Sequence, residues 1–328
     1  MRIGLVGFFG WGNFGDELFV RAHEQHLSEV GEVHVVNDLT KKPYFTKPLD
    51  QIVDEHDCFV IGGGDLVIPW SVSELYWKAE YLRKPVFVVG VGVPTWGGYK
   101  EEKVARYREF FASDMVKTVI ARDPESAAWI KEHVRPKAEV QFFPDLVCAM
   151  DLPGATKPDE KILGVSLRSR RGGEDDLSQV RRLCERARKM DYRVRHVVLA
   201  NQQTGEADEA VIRGFAEDGE EVVAADDLDA MCRAIGECSA YASMKFHGTV
   251  VAAMYGVPSI VLSATDKSRN FMRMLERPDL ISSIADTRLR MRLPLMPAPI
   301  HSLAQDRLRE QATAGYAALR AAIREHVG

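Results

Sequence analysis

Short apolar runs alternate with amphipathic stretches along the first half of the chain. The runs have the pattern of buried strands at residues 2–8, 33–36, 58–61, 86–91, 118–121 and 140–143. Helical spacing of apolar residues is found at 16–30, 72–82, 101–112 and 124–133. This alternation predicts a parallel sheet with right-handed crossovers, and ligands of such sheets bind at the carboxyl ends of the strands.

The same alternation begins again after the segment DLPGATKPDE at 151–160, which we interpret as a linker. Strands are predicted at 162–167, 194–199, 240–243 and 259–262, and helices at 176–190, 206–216, 228–235, 247–255 and 267–275. A proline-rich connection at 293–301 precedes Ser302-x-x-Gln305, which has the form of a helix capping box. One apolar face of the helix that follows consists of Leu308, Ala312, Tyr316, Leu319 and Ile323.

The pattern predicts an α/β protein made of two Rossmann-like domains. The chain has 328 residues, which is more than one hydrophobic core usually serves. We place an N-terminal domain at 1–152, a C-terminal domain at 160–298, and a closing helix at 300–328 that returns to pack toward the N-terminal domain. The cleft between the two sets of strand ends is the expected active site.

Composition and charge limit the partners and the location. The net charge of −5 argues against a non-specific nucleic-acid binder, which would be basic, so no nucleic-acid partner is expected. Five scattered cysteines without a C-x-x-C pair predict reduced, buried thiols in a cytoplasmic protein. The longest apolar runs have strand length, which leaves at most peripheral contact with a membrane. Because the histidines are dispersed and no H-E-x-x-H occurs, no metal site is expected. No cofactor is expected either.

The loop GWGNFG at 10–15 has the G-x-G-x-x-G spacing of a dinucleotide-binding turn, and Asp38 follows where an acid would bind a ribose. In such a turn the pyrophosphate binds at the N-terminus of the next helix. Here that helix opens with Asp16 and Glu17, whose carboxylates would repel a pyrophosphate. The loop therefore suits a hydroxyl-rich ligand, to which Asn13 can hydrogen-bond. A tight glycine turn followed by acids that complement the helix dipole is the alternative.

A series of segments in chain order resembles the polysaccharide pyruvyltransferase family. They are GWGNFGDEL at 10–18, GGG at 62–64, ARDPES at 121–126, PD at 144–145, SLR at 166–168, SMKFH at 243–247, GVP at 256–258, and the pairs DK and NF at 266–267 and 270–271. Each segment alone is a weak signal. Their order and spacing make the set specific, and it covers nearly the whole chain.

The resemblance implies two Rossmann-like domains that face a cleft, as in the glycosyltransferase B-type fold. It implies a transferase that moves pyruvate from phosphoenolpyruvate, its donor substrate, onto a sugar and forms a ketal. Members of the family act on sugars of the cell wall or of exopolysaccharides, often while these are lipid-linked. Such an enzyme would work in the cytoplasm or peripherally at the inner face of the membrane, and the sequence leaves a homo-oligomer open.

Two positions depart from the family pattern. Lys245 stands where the family usually has arginine, and a lysine acts as a point charge where an arginine can form two parallel hydrogen bonds to a carboxylate or phosphate. The loop after the fourth strand reads GVGVP at 90–94 and lacks the family's usual glutamine. These departures support one alternative function, a non-catalytic family member that binds anions.

The resemblance and the strand ends together predict a donor site in the second domain. The predicted residues that bind phosphoenolpyruvate are Arg168, Lys245, His247 and Lys267. Further cations nearby are Arg170, Arg171 and Arg269. His247 is the candidate general acid, or a partner of the phosphate, because histidine exchanges protons near neutral pH. For Lys267 an ion pair with Asp266 is the alternative, and for Arg170 and Arg171 it is a solvated loop.

Residues at the strand ends of the first domain are the candidates for acceptor chemistry. The predicted acceptor-binding residues are Gly12, Asn13, Asp16 and Asp65. The candidate general bases, which would take protons from the sugar hydroxyls, are Asp16, Asp65 and Asp145. A structural role is the alternative for two of them, since Asp145 would brace the interdomain turn and Asp16 would cap its helix.

A nucleotide-sugar glycosyltransferase on the same architecture is the other functional alternative. It would need an acid in the second domain to hold the ribose of its donor, and Glu276 and Asp279 are available for this role. Such an enzyme would transfer a sugar instead of pyruvate. The alternatives therefore differ in the donor that the second domain binds.

Overall fold

The computed structural model describes residues 1–40, 44, 45, 47–169, 175–296 and 300–328, with side chains at all of these except 202–204 and 295. The chain forms two compact α/β units, each built on a parallel sheet. Unit 1 comprises Met1–Gly10, Asp16–Met150 and Leu308–Gly328, and unit 2 comprises Trp11–Gly15 and Asp151–Arg307. The predicted fold class of two Rossmann-like domains is confirmed. Residues Trp11–Gly15 of the glycine loop, which the sequence assigned to the N-terminal domain, belong to unit 2.

The sheet of unit 1 is formed by parallel strands that begin at the N-terminus of the chain. These strands are β1 (Arg2–Val6), β2 (Glu32–Val35), β3 (Cys58–Gly64), β4 (Val86–Val91), β5 (Val116–Ala121) and β6 (Val140–Phe142). Their order across the sheet is β2-β1-β3-β4-β5-β6. The helices between them are α1 (Phe14–Leu27), α2 (Leu49–Glu55), α3 (Glu101–Phe111) and α4 (Pro124–Trp129), and a π-helical turn, Ile130–Val134, continues α4.

The sheet of unit 2 has the same parallel construction. Its strands are β7 (Lys161–Ser166), β8 (Tyr192–Val197), β9 (Glu221–Val223), β10 (Ala240–Ser243) and β11 (Ser259–Val261), in the order β11-β10-β7-β8-β9. The helices are α5 (Ser178–Arg188), α6 (Gln202–Phe215), α7 (Leu228–Gly236), α8 (Phe246–Met254), α9 (Asp266–Met274) and α10 (Leu289–Leu295). A last helix, α11 (Ser302–His326), begins in unit 2, and its residues from Leu308 onward belong to unit 1.

Both cores form where continuous apolar strands are covered on two faces, as is typical of parallel sheets. Every residue of β4 in unit 1 is buried. In unit 2, Leu163 and Val165 of β7 pack in one hydrophobic cluster with Val180 of α5 and Ile260 of β11. These central strands give each sheet a rigid carboxyl edge that can carry a site.

The predicted helix at 72–82 is wrong. Only Ala79–Arg83 is helical there, as a 3-10 turn. Leu75, Tyr76 and Trp77 are buried one after another, so they do not form the spaced stripe of an amphipathic helix. The Trp77 indole donates to the Leu66 carbonyl at 3.2 Å, and the Leu75 N–H donates to the Ser73 hydroxyl, also at 3.2 Å. Such side-chain hydrogen bonds compete with the helical ones.

The predicted capping box at the start of α11 is also wrong. The Gln305 side chain donates to the carbonyl of Ala253 at 2.8 Å, and the first turn is capped instead by His301, whose Nδ1 accepts from the Leu303 N–H at 3.2 Å. The sequence pattern also missed α2, β9 and α10. Part of the predicted connection at 293–301 is helical, because α10 continues to Leu295 with Pro294 inside it.

The predicted apolar face of α11 is buried in unit 1. All five of its residues are fully buried, namely Leu308, Ala312, Tyr316, Leu319 and Ile323. Tyr316 stacks on the ring of His26 with centroids 4.2 Å apart, and its hydroxyl lies 3.2 Å from Nδ1 of His23. Both histidines belong to α1, so these contacts attach the C-terminal part of α11 to the first helix of unit 1.

The burial of His23 makes the stability of unit 1 depend on pH. Burial, together with the nearby His26, lowers the pKa of His23 from 6.5 to about 3. Between these values the unfolded chain binds a proton that the folded chain does not. The free energy of unfolding therefore falls as the pH drops below 6.5, by about 1.4 kcal/mol per pH unit. We expect the free energy of unfolding, measured with urea, to fall much less between pH 7 and pH 5 in His23→Gln than in the wild type.

His326→Gln, which removes an exposed histidine of α11, is the matched control. It should keep the pH dependence of the wild type. If the wild type and His23→Gln lose stability in parallel between pH 7 and pH 5, the pH dependence does not come from His23.

Candidate functional site

Arg168 follows the central strand of the unit 2 sheet. Strand β7 ends at Ser166, whose hydroxyl donates to the Val197 carbonyl of the neighbouring strand β8 at 2.7 Å and also contacts the Tyr241 hydroxyl. This buried polar contact fixes the end of β7 and thereby the point at which the chain leaves the sheet. Arg168 comes two residues later, at the carboxyl edge where ligands of parallel sheets bind.

The segment SMKFH at 243–247 forms the turn between β10 and α8. The Ser243 hydroxyl donates to the Lys245 carbonyl at 2.8 Å and accepts from the Lys245 N–H at 3.0 Å. This pair of hydrogen bonds closes the turn, and α8 begins at the next residue, Phe246. The first N–H groups of α8 therefore lie at the carboxyl edge of the sheet, where the helix dipole favours an anion.

The Lys245 ammonium is held by three acceptors within unit 2. Its Nζ lies 2.6 Å from Oδ2 of Asp208, 2.8 Å from the Leu199 carbonyl and 3.4 Å from Oδ1 of Asn13. The side chains of Lys245 and Asp208 are only 11% and 4% exposed. The cation predicted at this position is therefore present, and a carboxylate that the sequence did not reveal is bound to it.

The glycine loop packs directly on unit 2. The Asn201 N–H donates to the Gly12 carbonyl at 2.8 Å, and the Phe14 N–H donates to the Leu199 carbonyl at 3.3 Å. A Cβ on Gly12, which has a φ of +79°, would overlap the backbone of Asn201, and a Cβ on Gly15 would overlap the ring of His247. Two of the three glycines of the G-x-G-x-x-G string, Gly12 and Gly15, are thus required by close contacts within unit 2.

Helix α9 supplies the last predicted cation. Thr265 precedes the helix, and its hydroxyl lies 2.9 Å from the hydroxyl of Ser268 in the first turn. The Lys267 ammonium lies 5.7 Å from the ring centroid of Phe246, a cation–π distance. Asp266, the alternative partner predicted for Lys267, has its carboxylate 3.5 Å from the guanidinium of Arg269.

One pocket of unit 2 brings these side chains together. Its empty volume is about 510 Å³, part of which is open solvent. Of the predicted site residues, it is lined by Asn13, Arg168, Lys245, His247 and Lys267. The start of α8 and the start of α9 both reach this pocket, which gives it two helix N-termini in addition to its cationic side chains. Arg170 and Arg171 lie outside the described residues.

The predicted acids are grouped in unit 1. Asp65, which follows β3, forms an ion pair with Arg122, which follows β5 and is 2% exposed. Arg122 also lies 3.8 Å from a carboxylate oxygen of Asp123. Burial lowers the pKa of this guanidinium, but the charges of Asp65, Asp145 and Asp123 outweigh it and the pKa is raised overall. Arg122 is therefore the charged centre of an acidic cluster at the carboxyl edge of the unit 1 sheet.

Asp145 and Asp16 differ in their surroundings. Asp145 is 1% exposed and caps the 3-10 turn Leu146–Ala149, where Oδ1 accepts from the Val147 N–H at 3.1 Å. This hydrogen bond fixes the start of the turn that follows Asp145 within unit 1. Asp16 lies in the first turn of α1 next to Gly64, where an added Cβ would be 3.7 Å from its Oδ1. Asp16 and Asp65 therefore both lie at the carboxyl end of β3.

Sequence reasoning missed two charged residues of these sites. Asp208 lies within α6 on a helical turn with no motif around it, so no local signal marks it. Arg122 is part of the segment ARDPES, but it was not among the predicted site residues although its position directly after β5 was readable. Asn13 and Gly12 were predicted with the acids of the first domain, and the structure places both in unit 2.

Three further properties of the described residues concern metals, membranes and thiols. Among the described residues, no group of three or more histidine, cysteine, aspartate or glutamate side chains could hold a metal ion. In the same part of the chain, every helix is too short or too polar to cross a membrane. All five cysteines are buried, and burial raises the pKa of the Cys184 thiol to about 12.

The fold of the chain belongs to the glycosyltransferase B-type class. It is similar to the UDP-GlcNAc 2-epimerase from Neisseria meningitidis bound to UDP-GlcNAc, with a TM-score of 0.65, 11% identity, and coverage of 99% of this chain and 100% of that chain. It is also similar to the glycotransferase of kitacinnamycin, with a TM-score of 0.57, 15% identity, and coverage of 100% and 99%. At such low identity these similarities establish the fold alone.

The sequence identifies the family within this class. The family described as polysaccharide pyruvyl transferase matches residues 13–266, which is most of the chain and includes residues 13–15 of the glycine loop and the pocket residues up to Thr265. No curated protein matches the sequence. The chain belongs to the polysaccharide pyruvyl transferase family and is therefore a transferase, as the sequence motifs predicted.

Proposed function

We propose that this protein transfers pyruvate from phosphoenolpyruvate onto a sugar of a cell-surface polysaccharide, or of its lipid-linked precursor, and forms a ketal. The observation that carries the proposal is the pocket of unit 2, in which Arg168, Lys267 and His247 line the same space. Membership of the polysaccharide pyruvyl transferase family supports the same reaction class.

The charge of the pocket suits the donor. Phosphoenolpyruvate carries a carboxylate and a phosphate, and it requires several cations or N–H donors in a confined space. The pocket offers the guanidinium of Arg168 and the ammonium of Lys267, and two helix N-termini add backbone N–H groups. An anion with two separate negative groups would use both kinds of donor.

The reaction needs one proton donor and one proton acceptor. A proton added to the methylene carbon of the donor makes it a methyl group and leaves the adjacent carbon cationic. A sugar hydroxyl attacks that carbon and loses its proton, the bond to the phosphate oxygen breaks, and inorganic phosphate leaves with the electron pair and takes up one of the released protons. A second hydroxyl then attacks the same carbon and loses its proton, which closes the ketal ring.

The residues can be assigned to these steps. His247 lies at the start of α8 in the pocket, and we assign it the proton that the methylene carbon receives. For the protons that the hydroxyls lose, we retain Asp16 and Asp65 as candidates. Asp145 is less suited to this role because its carboxylate is buried and caps a turn.

A nucleotide-sugar glycosyltransferase is less well supported. The fold similarity includes an epimerase bound to UDP-GlcNAc, but the acids that a ribose would need are engaged elsewhere. Glu276 pairs with Arg307 at 2.8 Å, and Asp279 pairs with Arg277 at 3.0 Å. Neither acid is among the residues that line the pocket.

A thermal-shift comparison of three ligands tests the donor. We expect phosphoenolpyruvate to raise the Tm of the wild-type protein more than inorganic phosphate does, because it adds a carboxylate. At 100 times its Kd, a ligand stabilises the folded state by about 2.7 kcal/mol. UDP-GlcNAc should have little effect at the same concentration.

Two outcomes would overturn the proposal in different ways. Stabilisation by UDP-GlcNAc alone would favour the glycosyltransferase. Tight binding of phosphoenolpyruvate without release of phosphate, across a panel of free and lipid-linked sugars, would favour a non-catalytic anion-binding protein.

A further inference from the structure

The ion pair between Lys245 and Asp208 has a geometry unlike that of a ligand-binding cation. Nζ of Lys245 donates to the Leu199 carbonyl and to Oδ1 of Asn13, and it forms an ion pair with Oδ2 of Asp208. The shortest of these contacts, 2.6 Å, is to the carboxylate of Asp208, which neutralises the positive charge. Lys245 therefore lines the pocket while its charge is directed into the protein.

Asp208 links Lys245 to the segment that carries Arg168. Its Oδ2 binds the ammonium, and its Oδ1 accepts from the Ser169 N–H at 2.7 Å. Ser169 is the residue directly after Arg168, so the carboxylate holds the backbone on which this guanidinium is mounted. One buried side chain of α6 thus connects the end of β7 with the turn before α8.

Lys245 extends the same network to the glycine loop. Its ammonium donates to Oδ1 of Asn13 and to the Leu199 carbonyl, which also accepts from the Phe14 N–H. Because a lysine can only donate, the Asn13 amide is oriented with its oxygen toward Lys245 and its NH₂ group on the other side. The network therefore sets the direction of a side chain that lines the pocket.

We propose that Asp208 is a positioning residue, and that with Lys245 it forms a neutral pair which orients Arg168 and Asn13 rather than contacting the donor. This inference rests on the proposed function, since the ligand it concerns is phosphoenolpyruvate. It differs from the expectation that Lys245 is itself a donor-binding cation. The two assignments make opposite predictions for the removal of the Asp208 charge.

The test measures the Kd for phosphoenolpyruvate by calorimetry in Asp208→Asn. If the pair positions Arg168 and Asn13, the loss of the ion pair weakens binding by about 10- to 100-fold, the scale on which misplaced groups act. If Lys245 contacts the donor, removal of the competing carboxylate strengthens binding, and that result overturns the proposal. Glu209→Gln is the matched control, because it removes the neighbouring carboxylate of α6, whose partner is the exposed Arg213 at 2.6 Å.

A second measurement separates positioning from general destabilisation. Lys245→Met and the double variant Asp208→Asn/Lys245→Met should bind phosphoenolpyruvate about as weakly as Asp208→Asn alone, because all three lose the same pair. Additive losses would contradict a shared role. Tm values of the variants identify any that fail to fold.

The proposal also has a readout that does not need the donor. In Asp208→Ala the Ser169 N–H loses its acceptor, so its hydrogen exchange should accelerate relative to Glu209→Gln, and unchanged protection would overturn the inference. If wild-type protein does not bind phosphoenolpyruvate at all, the proposed function fails, whereas the exchange result still decides whether Asp208 holds this segment.

Discussion

Replacement of Arg168 or His247 by alanine is expected to reduce phosphate release from phosphoenolpyruvate to background with every sugar in an acceptor panel. Arg168 supplies a guanidinium to the pocket, and truncation of one partner in a desolvated charge contact costs about 2–5 kcal/mol. His247 is the assigned proton donor, without which the methylene carbon is not protonated. The measurement is a coupled assay of inorganic phosphate.

The two variants should differ in binding although both lose turnover. Arg168→Ala is expected to weaken the binding of phosphoenolpyruvate by about 100-fold or more. His247→Ala should bind phosphoenolpyruvate with an affinity within a few-fold of that of the wild type. Arg269→Ala is the matched control, because Arg269 pairs with Asp266 and, unlike Arg168, is not one of the residues that line the pocket. Wild-type phosphate release in both Arg168→Ala and His247→Ala would refute the assignment of the pocket.

Gly15→Ala is expected to abolish phosphate release and to lower the stability of the protein. A helical glycine replaced by alanine normally gains up to about 1 kcal/mol. Here the added Cβ would overlap the ring of His247, so the ring must leave its place. Overpacking of this kind typically costs about 1–3 kcal/mol, which outweighs the gain in helix propensity. The Tm and the phosphate assay measure the two effects.

A double-mutant cycle separates this contact from other effects of the substitution. In the His247→Ala background the ring is gone, so Gly15→Ala should no longer lower the Tm. Gly214→Ala is the control, because Gly214 lies in helix α6 and a Cβ there meets no atom within 4 Å. That variant should be as stable as wild type or more so. An equal loss of Tm from Gly15→Ala in both backgrounds would contradict the contact with His247.

Element positions were predicted well where apolar runs are short and bounded. The strand predicted at 240–243 coincides with β10, and the apolar face of α11 is buried as its spacing indicated. The helix at 72–82 failed because consecutive buried aromatics and side-chain hydrogen bonds replaced the expected helical stripe. Local spacing cannot show that a tryptophan will donate to a carbonyl 11 residues away.

The G-x-G-x-x-G string at 10–15 is a second case in which local spacing does not show the contacts that a residue makes. Its spacing is that of a dinucleotide-binding turn, and the acids after it already argued for another ligand. The structure supplies a different reason for two of the glycines. Gly12 is pressed against Asn201 and Gly15 against His247, contacts that join residues far apart in the chain.

The sequence by itself determined the two parallel sheets, the family and the cations at the strand ends of the second unit. It could do so because the carboxyl ends of parallel strands meet at one edge, and because Arg168 and Lys245 each come two residues after the end of a strand. Only the tertiary structure decided that residues Trp11–Gly15 of the glycine loop belong to unit 2 and that Asp208 neutralises Lys245. These contacts depend on the packing of side chains between distant segments, and a residue within a regular helix carries no local mark of the partner it will meet.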